Sequence, residues 1–230
     1  MKTNNYNIEK IIDALYNKGY TNFLTQKELM LVKNKLNKNE YNIFYSYEEC
    51  SKVILYKSSP PDIKLYKIVS QTELRHQDIM GTIFSLGIKE DTFGDITKYQ
   101  NDFYIFLLPH LAEYFKYNLT EIRNNKIELI EVSIELKGKF KQEYIRKEYI
   151  VSSLRIDNVI STIINTSRNT VLEKFQNKEI ILNYDENIKP TRTLKENDVF
   201  SIRKYGKYKF SQVLKNTKKG GFIIEILMYK

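Results

Sequence analysis

The sequence predicts an α+β protein: an N-terminal α/β portion, a ferredoxin-like (βαββαβ) middle, and a C-terminal helix pair followed by a small β-sheet. Three observations carry this reading. Apolar residues keep helical spacing near the N-terminus and again from Ile156 to Phe175. From Ile63 to Leu136 the order is strand, helix, strand, strand, helix, strand, that of a split βαβ unit. Charge is also uneven: residues 151–230 hold 15 Lys and Arg against 8 Asp and Glu, net +7 of the chain's +9, whereas residues 1–150 hold 22 against 20.

A chain of 230 residues suffices for two or three small domains, each with its own core. The hydrophobic share of 42% and charged share of 28% are ordinary for a soluble protein. Cys50 is the only cysteine, so no intramolecular disulfide can form and a reducing cytoplasm is the expected home. The opening MKTNNYNIEK has no apolar centre of the kind a signal peptide needs. The apolar runs are short: Tyr104–Leu108 stops at Pro109, and Phe222–Tyr229 is interrupted by Glu225, which excludes a membrane helix. Cations gathered in one module point to a domain that neutralises phosphates.

Taken in order, Ile8, Ile11, Ile12 and Leu15 share a helical face that Gly19 closes. Thr25 and Glu28 stand at capping-box spacing above Leu29, Val32 and Leu36. Tyr41–Tyr45 reads as a strand. Ser46 and Glu49 repeat the capping-box spacing and predict a short helix before Val53–Tyr56, with a break at Pro60-Pro61. Ile63–Val69 is a strand, Asp78–Leu86 a helix closed by Gly87, and Asp95–Lys98 and Phe103–Leu108 strands joined at Gln100–Asp102. Pro109 suits the first position of a helix with Leu111, Ala112, Phe115, Leu119 and Ile122 inward, and Ile130–Leu136 alternates as a strand. Lys137–Lys147 (KGKFKQEYIRK) reads as a basic connector. Ile156, Val159, Ile160, Ile163 and Ile164 define the next helix, and Ser167 caps another carrying Val171, Leu172 and Phe175. Strands follow at Ile180–Asn183, Val199–Arg203, Tyr208–Leu214 and Phe222–Tyr229. The expected domains are therefore 1–62, 63–137 and 148–230.

The C-terminal pattern is an ordered set: Arg155-Ile156-Asp157, Ser167-Arg168, Ile181-Leu182-Asn183, Lys189-Pro190-Thr191, then Asp198 and Arg203. It resembles the RNA-binding domain of ribosomal protein S4 and its relatives. The resemblance departs at Asn177, Tyr184 and Asn197, where the family has glycine or another residue; asparagine tolerates the left-handed backbone that such turns need. Arg168 at a helix start opposes the macrodipole, which favours anions there. It therefore meets an external anion, stands in solvent, or pairs with Asp157. Arg155 and Asp157 can instead tie the two helices together. The expected RNA-binding residues are Arg155, Ser167, Arg168, Lys174, Asn183, Lys189, Thr191, Arg203, Lys204, Lys207 and Lys209, with Arg168, Arg203, Lys204, Lys207 and Lys209 on one cationic face.

A second resemblance covers the middle. His76-Gln77-Asp78-Ile79-Met80-Gly81, Leu86-Gly87-Ile88 and Gly94-Asp95-Ile96, with Arg203–Tyr208 at the end, are similar to the YlmH family, though Gln77 and Glu90 replace basic residues. This resemblance implies a cytoplasmic bacterial RNA-binding protein without catalysis, with large-subunit ribosomal RNA as partner and peptidyl-tRNA as a second candidate. It implies action on large subunits obstructed by peptidyl-tRNA, in ribosome-associated quality control; apart from the resemblance, no membrane partner is expected, and the oligomeric state is open, with a monomer expected. Two other classes stay open: an accessory of an RNA-modifying enzyme of pseudouridine synthase or methyltransferase type, and a protein-interaction factor linked to cell division.

The chemistry of the sequence gives enzymes little support. His76, His110 and Cys50 offer no metal-ligand spacing, and no phosphate-binding glycine loop or Gly-x-Ser-x-Gly elbow is present. His76 and Asp78, two residues apart on a helix, project about 200° from one another and cannot act as a pair. Asp78 reads instead as a first-turn carboxylate on the helix dipole. No cofactor and no metal are expected.

Overall fold

Thr25 shows how closely local chemistry sets this fold. Its Oγ1 accepts the Glu28 backbone N–H at 3.3 Å while the Glu28 carboxylate accepts the Thr25 N–H at 2.9 Å, the reciprocal capping box the spacing predicts. The computed structural model describes residues 2–229, with side chains from Asn7 to Tyr229. The protein is α+β with antiparallel sheets, and its contacts divide it into two units, one ending at Lys141 and the other starting at Gln142.

The first unit opens with α1 (Lys2–Lys18), β1 (Leu24–Thr25), α2 (Gln26–Lys33), β2 (Asn42–Tyr45) and β3 (Lys52–Tyr56). The strands form an antiparallel sheet in the order β1-β3-β2, and Ile8, Leu15, Leu29, Val32, Val53 and Leu55 fill the core beneath the helices. The helix predicted at Ser46 and Glu49 does not form. Glu49 has φ 62°, a left-handed conformation that no third helical position can take, and Cys50 N closes a turn onto Tyr47 O instead.

The chain continues through β4 (Lys64–Ser70), α3 (His76–Ser85), β5 (Phe93–Tyr99), β6 (Asp102–Leu107), α4 (Pro109–Asn118), β7 (Glu121–Ile122) and β8 (Asn125–Val132). Gln100 and Asn101, at φ 49° and 71°, make the two-residue turn between β5 and β6. The antiparallel sheet runs β5-β6-β4-β8-β7. Two expectations shift here. Helix α4 stops at Asn118, and buried Ile122 belongs to β7. The last strand is Asn125–Val132, because Arg123 and Asn124 form a hairpin turn at φ 47° and 62°; Ile134–Lys139 is then a 3-10 turn.

Both faces of this sheet are covered. Ile68, Ile96, Phe103, Ile105 and Leu129 meet Ile79, Ile83 and Phe115 of α3 and α4. On the other face Leu65, Tyr104 and Phe106 lie under Phe23, Ile54 and Phe140. Gly94 is required by that second layer: a Cβ there would stand 2.7 Å from Phe23 Cε1 and 2.9 Å from Phe106 Cβ.

The second unit comprises β9 (Tyr144–Val151), α5 (Ile156–Ile163), α6 (Arg168–Gln176), β10 (Ile180–Leu182), β11 (Val199–Ile202), β12 (Gly206–Asn216) and β13 (Phe222–Tyr229). Its antiparallel sheet runs β10-β11-β12-β13-β9. One face carries Leu182, Phe200, Phe210, Ile224 and Ile226 against Ile156, Val159, Ile160 and Val171 of the helices. The stretch read as a connector is shorter than expected. Phe140 is buried in the first unit, and Tyr144–Lys147 pairs with Tyr229–Ile226 as the first half of β9.

Candidate nucleic-acid interface

The N-terminus of α5 collects cations around one carboxylate. Asp157 sits in the first turn, its side chain only 2% exposed. Arg155, the residue preceding the helix, donates Nε and Nη2 to it at 3.2 and 2.8 Å. Arg168, the first residue of α6, donates Nη2 at 2.7 Å, and the Asn158 N–H adds a fourth bond at 2.8 Å. Burial by itself would raise the Asp157 carboxyl, but the hydrogen bonds from Arg155 and Arg168 outweigh it and hold the group below its usual range. Asp157 therefore stays charged and fixes two guanidinium groups, each still 40% and 49% exposed respectively.

The segment 189–194 lies alongside. Ile156 N donates to Arg192 O, Asp157 N to Pro190 O and Leu194 N to Leu154 O, so exposed Lys189, Thr191 and Arg192 flank the same helix start. Ser167 caps α6, its Oγ accepting Thr170 N at 3.1 Å. Arg155, Ser167, Arg168, Lys189 and Thr191 are thus brought together. Arg192 was missed by the sequence reading, although it directly follows Lys-Pro-Thr.

The other expected residues lie elsewhere. Lys174 pairs with Glu179 at 2.8 Å, and Arg203 N donates to Glu179 O, which groups Lys174, Arg203 and Lys204 at the far end of α6. Six residues of helix separate Arg168 from Lys174, a rise of about 9 Å. Lys207 and Lys209 alternate with buried Tyr208 and Phe210 on β12, so they occupy the sheet face away from the helices; Lys207 Nζ stands 4.4 Å from the Tyr229 ring centre. The cations expected on one face are therefore spread over three places.

Asn183 has a different task. Its Nδ2 donates to Asp198 at 2.7 Å and its Oδ1 accepts Val199 N at 2.9 Å, so the amide ties the end of β10 to the start of β11. Asn183, Tyr184 and Asn197 all have positive φ, at 47°, 67° and 70°. Asn177 does not; the left-handed residue after α6 is Lys178, at 56°.

In the first unit the short motifs become physical. Asp95 Oδ2 accepts the Ser51 and Lys52 N–H groups at 3.0 and 3.1 Å, fastening β5 to β3 beside Gly94. Lys52 is buried, donating Nζ to Glu90 O at 2.6 Å and Phe93 O at 3.0 Å. Gly87, at φ 72°, closes α3. Asp78 accepts Arg75 Nε at 2.9 Å and forms an ion pair with Arg123, whose Nε stands 2.9 Å away, a pairing the dipole reading did not foresee.

Residues 62–136 match the family model described as "Putative RNA-binding domain in YlmH". This middle segment is therefore similar to the RNA-binding domain of the YlmH family. A curated relative, "Ribosome-associated protein quality control protein P2" of Bacillus subtilis (strain 168), is 23% identical over 144 residues, 63% of this chain. The match spans 56% of that relative's length. A solved structure, "Cell division protein ylmH from Streptococcus pneumoniae", aligns at 20% identity with a TM-score of 0.48, covering 60% of this chain and 93% of that one. No helix among the described residues is long and apolar enough to cross a membrane. No group of three or more His, Cys, Asp or Glu side chains is placed to hold a metal among them either.

Proposed function

We propose that this protein is a non-catalytic, cytoplasmic RNA-binding protein that engages structured ribosomal RNA of the large subunit. Its place is ribosome-associated quality control, on subunits still carrying peptidyl-tRNA. The observation that carries the reading is the Asp157 clamp: two arginines held half-exposed at the start of a helix, within residues 151–230, which hold most of the net charge. A guanidinium held by a carboxylate keeps its remaining N–H groups aimed, which suits phosphate recognition in a shaped RNA better than free lysines do.

The supporting architecture is an S4-type domain in the second unit, in which the helix pair and the 189–194 segment meet RNA. A ferredoxin-like domain occupies the middle of the chain, in keeping with the sheet order β5-β6-β4-β8. Within the site, Arg155, Arg168, Lys189 and Thr191 make direct contacts. Asn183 positions the turn after β10. Lys174, Arg203, Lys204, Lys207 and Lys209 form outlying phosphate contacts. The family description, which names RNA binding, and the name of the Bacillus relative, which is ribosome-associated, support this reading together with the motifs.

Gradient sedimentation of cell lysate tests this. The protein should travel with free large subunits and become enriched there when translation stalls. Migration entirely at the top of the gradient, without RNA, would overturn the proposal.

A further inference from the structure

Only two arginines occur between residues 62 and 136, and both reach one carboxylate. Arg75 precedes α3, Asp78 lies in its first turn, and Arg123 sits at the tip of the β7–β8 hairpin. Asp78 is 9% exposed, while the arginine side chains are 54% and 63% exposed. Arg75 uses Nε and Nη2 on Asp78, and the Gln77 amide oxygen can accept from its Nη groups. Arg123 forms an ion pair with Asp78, its Nε 2.9 Å from the carboxylate, and its side chain is exposed enough to meet a further acceptor. The carboxyl of Asp78 is held below its usual range by the Arg75 hydrogen bond first, so the clamp stays ionised. A cavity of about 420 Å³ opens between these elements, lined by Leu74, Arg75, Asp78, Ile122, Arg123 and Asn125.

The geometry points to a second phosphate-binding site here, taking an RNA backbone phosphate between Arg75 and Arg123; this deepens, and rests on, the RNA-binding function proposed above. Elimination supports it. RNA-binding modules with a four-stranded sheet commonly stack bases on aromatic rings of the open face. In this protein that route is shut, because Tyr104 and Phe106 are buried under Phe23, Ile54 and Phe140 while the helices cover the opposite face. Contacts from this segment must then come from its edges, its loops or the outer faces of its helices. On the strands, Lys64, Lys67 and Lys98 are drawn to Asp62 and Glu131, Asp102 and Glu73 respectively. Glu73, the other acid at the cavity, is taken up by Lys98 at 3.6 Å, so the two arginines outweigh Asp78 by one charge.

Hairpin geometry fixes the second arginine. Arg123 holds φ 47° at the turn, and Asn125 Nδ2 donates to Arg123 O at 3.1 Å and Ile122 O at 3.3 Å. The same device thus occurs in both units: a shielded first-turn Asp, the arginine before the helix, and a second arginine brought from another element. Four of the chain's seven arginines stand in these two clamps.

The test uses the full chain and deproteinised large-subunit ribosomal RNA in filter binding between about 50 and 200 mM salt. Arg75→Gln/Arg123→Gln should weaken binding and lower the log–log salt slope by about 1–2 units, each phosphate contact contributing about 0.9 or less. Arg75→Lys/Arg123→Lys keeps both charges beside Asp78 and should recover most of the slope, which a purely structural role would not produce. Wild-type protein that retains no RNA overturns both readings. Wild-type binding whose slope the Gln pair leaves unchanged, at an unchanged melting temperature, overturns this site alone.

Discussion

Arg168 spans eleven residues of chain to donate Nη2 to Asp157 Oδ2 at 2.7 Å, joining the start of α6 to the start of α5. This bond decides how the arginine can be probed. Reversal to Glu would press a carboxylate against a shielded one, so it tests stability as much as RNA affinity. Arg168→Ala leaves Asp157 with Arg155 and the Asn158 N–H and should cost about 1 kcal/mol. Removing Arg155 and Arg168 together strands the carboxylate, and the cost should rise to about 3–5 kcal/mol, more than the two single losses added. Urea unfolding of the three variants gives the comparison.

Acid should act through the same carboxylate. Its folded pKa lies below the ordinary 3.8, so the folded state binds its proton later than the unfolded state as pH falls. The contribution of Asp157 is therefore complete above the ordinary value and is lost as pH drops from there through the folded value. Wild type should melt above Asp157→Asn at neutral pH, and the gap should narrow below about pH 4. A gap that stays constant down to the folded value would show that the charge of Asp157 adds nothing to stability.

Much of this was legible in residue spacing, and what was not has identifiable causes. Thr25 and Glu28 formed their capping box because both lie next to a helical apolar face. Ser46 and Glu49 have the same spacing, yet the chain turns at Glu49 and enters β3, since Val53, Ile54 and Leu55 are fully buried as a strand. Local pattern lost there to tertiary burial. The clamp at Asp157 could be read as one of three options for Arg168, and the geometry selected the internal pair while leaving the arginine half exposed. The partner of Asp78 was illegible, because Arg123 lies 45 positions away at a hairpin tip that no periodicity marks.

Phe140 should matter to the first unit far more than its place in a basic stretch suggests. Its ring lies 5.1 Å from Tyr104 and 5.9 Å from Phe106 between centroids, and it is 2% exposed. Phe140→Ala should cost about 3–5 kcal/mol through lost burial and the cavity left behind. Lys139→Ala and Lys141→Ala, on either side, should stay within about 0.5 kcal/mol as exposed substitutions. Chemical denaturation of the full chain, followed by tyrosine fluorescence, distinguishes them.

The second unit should fold alone, and where it is cut should matter. Its core, from Val151 to Ile226, is supplied by its own elements. A fragment from Gln142 keeps all of β9, whereas one from Glu148 loses the pairs Tyr144–Tyr229, Ile145–Met228, Arg146–Leu227 and Lys147–Ile226. The longer fragment should unfold cooperatively on heating, and the shorter should melt lower or fail to fold, leaving half of β13 as an unpaired edge. Equal melting of the two would mean that the first half of β9 adds no stability.

RNA affinity should depend on which end of α6 is altered. Lys189 and Arg192 are exposed beside the Asp157 clamp, and no ion pair holds them among the described residues. Lys189→Ala/Arg192→Ala should therefore leave stability within about 0.5 kcal/mol. If the clamp end is the centre of the site, the pair should lower the salt slope for ribosomal RNA by up to about 2 units, with a matching loss of affinity at low salt. Arg203→Ala/Lys204→Ala, at the opposite end of α6, removes the same charge from an equally exposed place. A protein held by diffuse charge would respond alike to both pairs, since net charge falls equally. A shaped site predicts the larger effect at Lys189 and Arg192, because those residues flank guanidinium groups already fixed by Asp157. Equal slopes for the two double variants would sink the clamp as the centre of recognition and leave the domain a general polyanion binder.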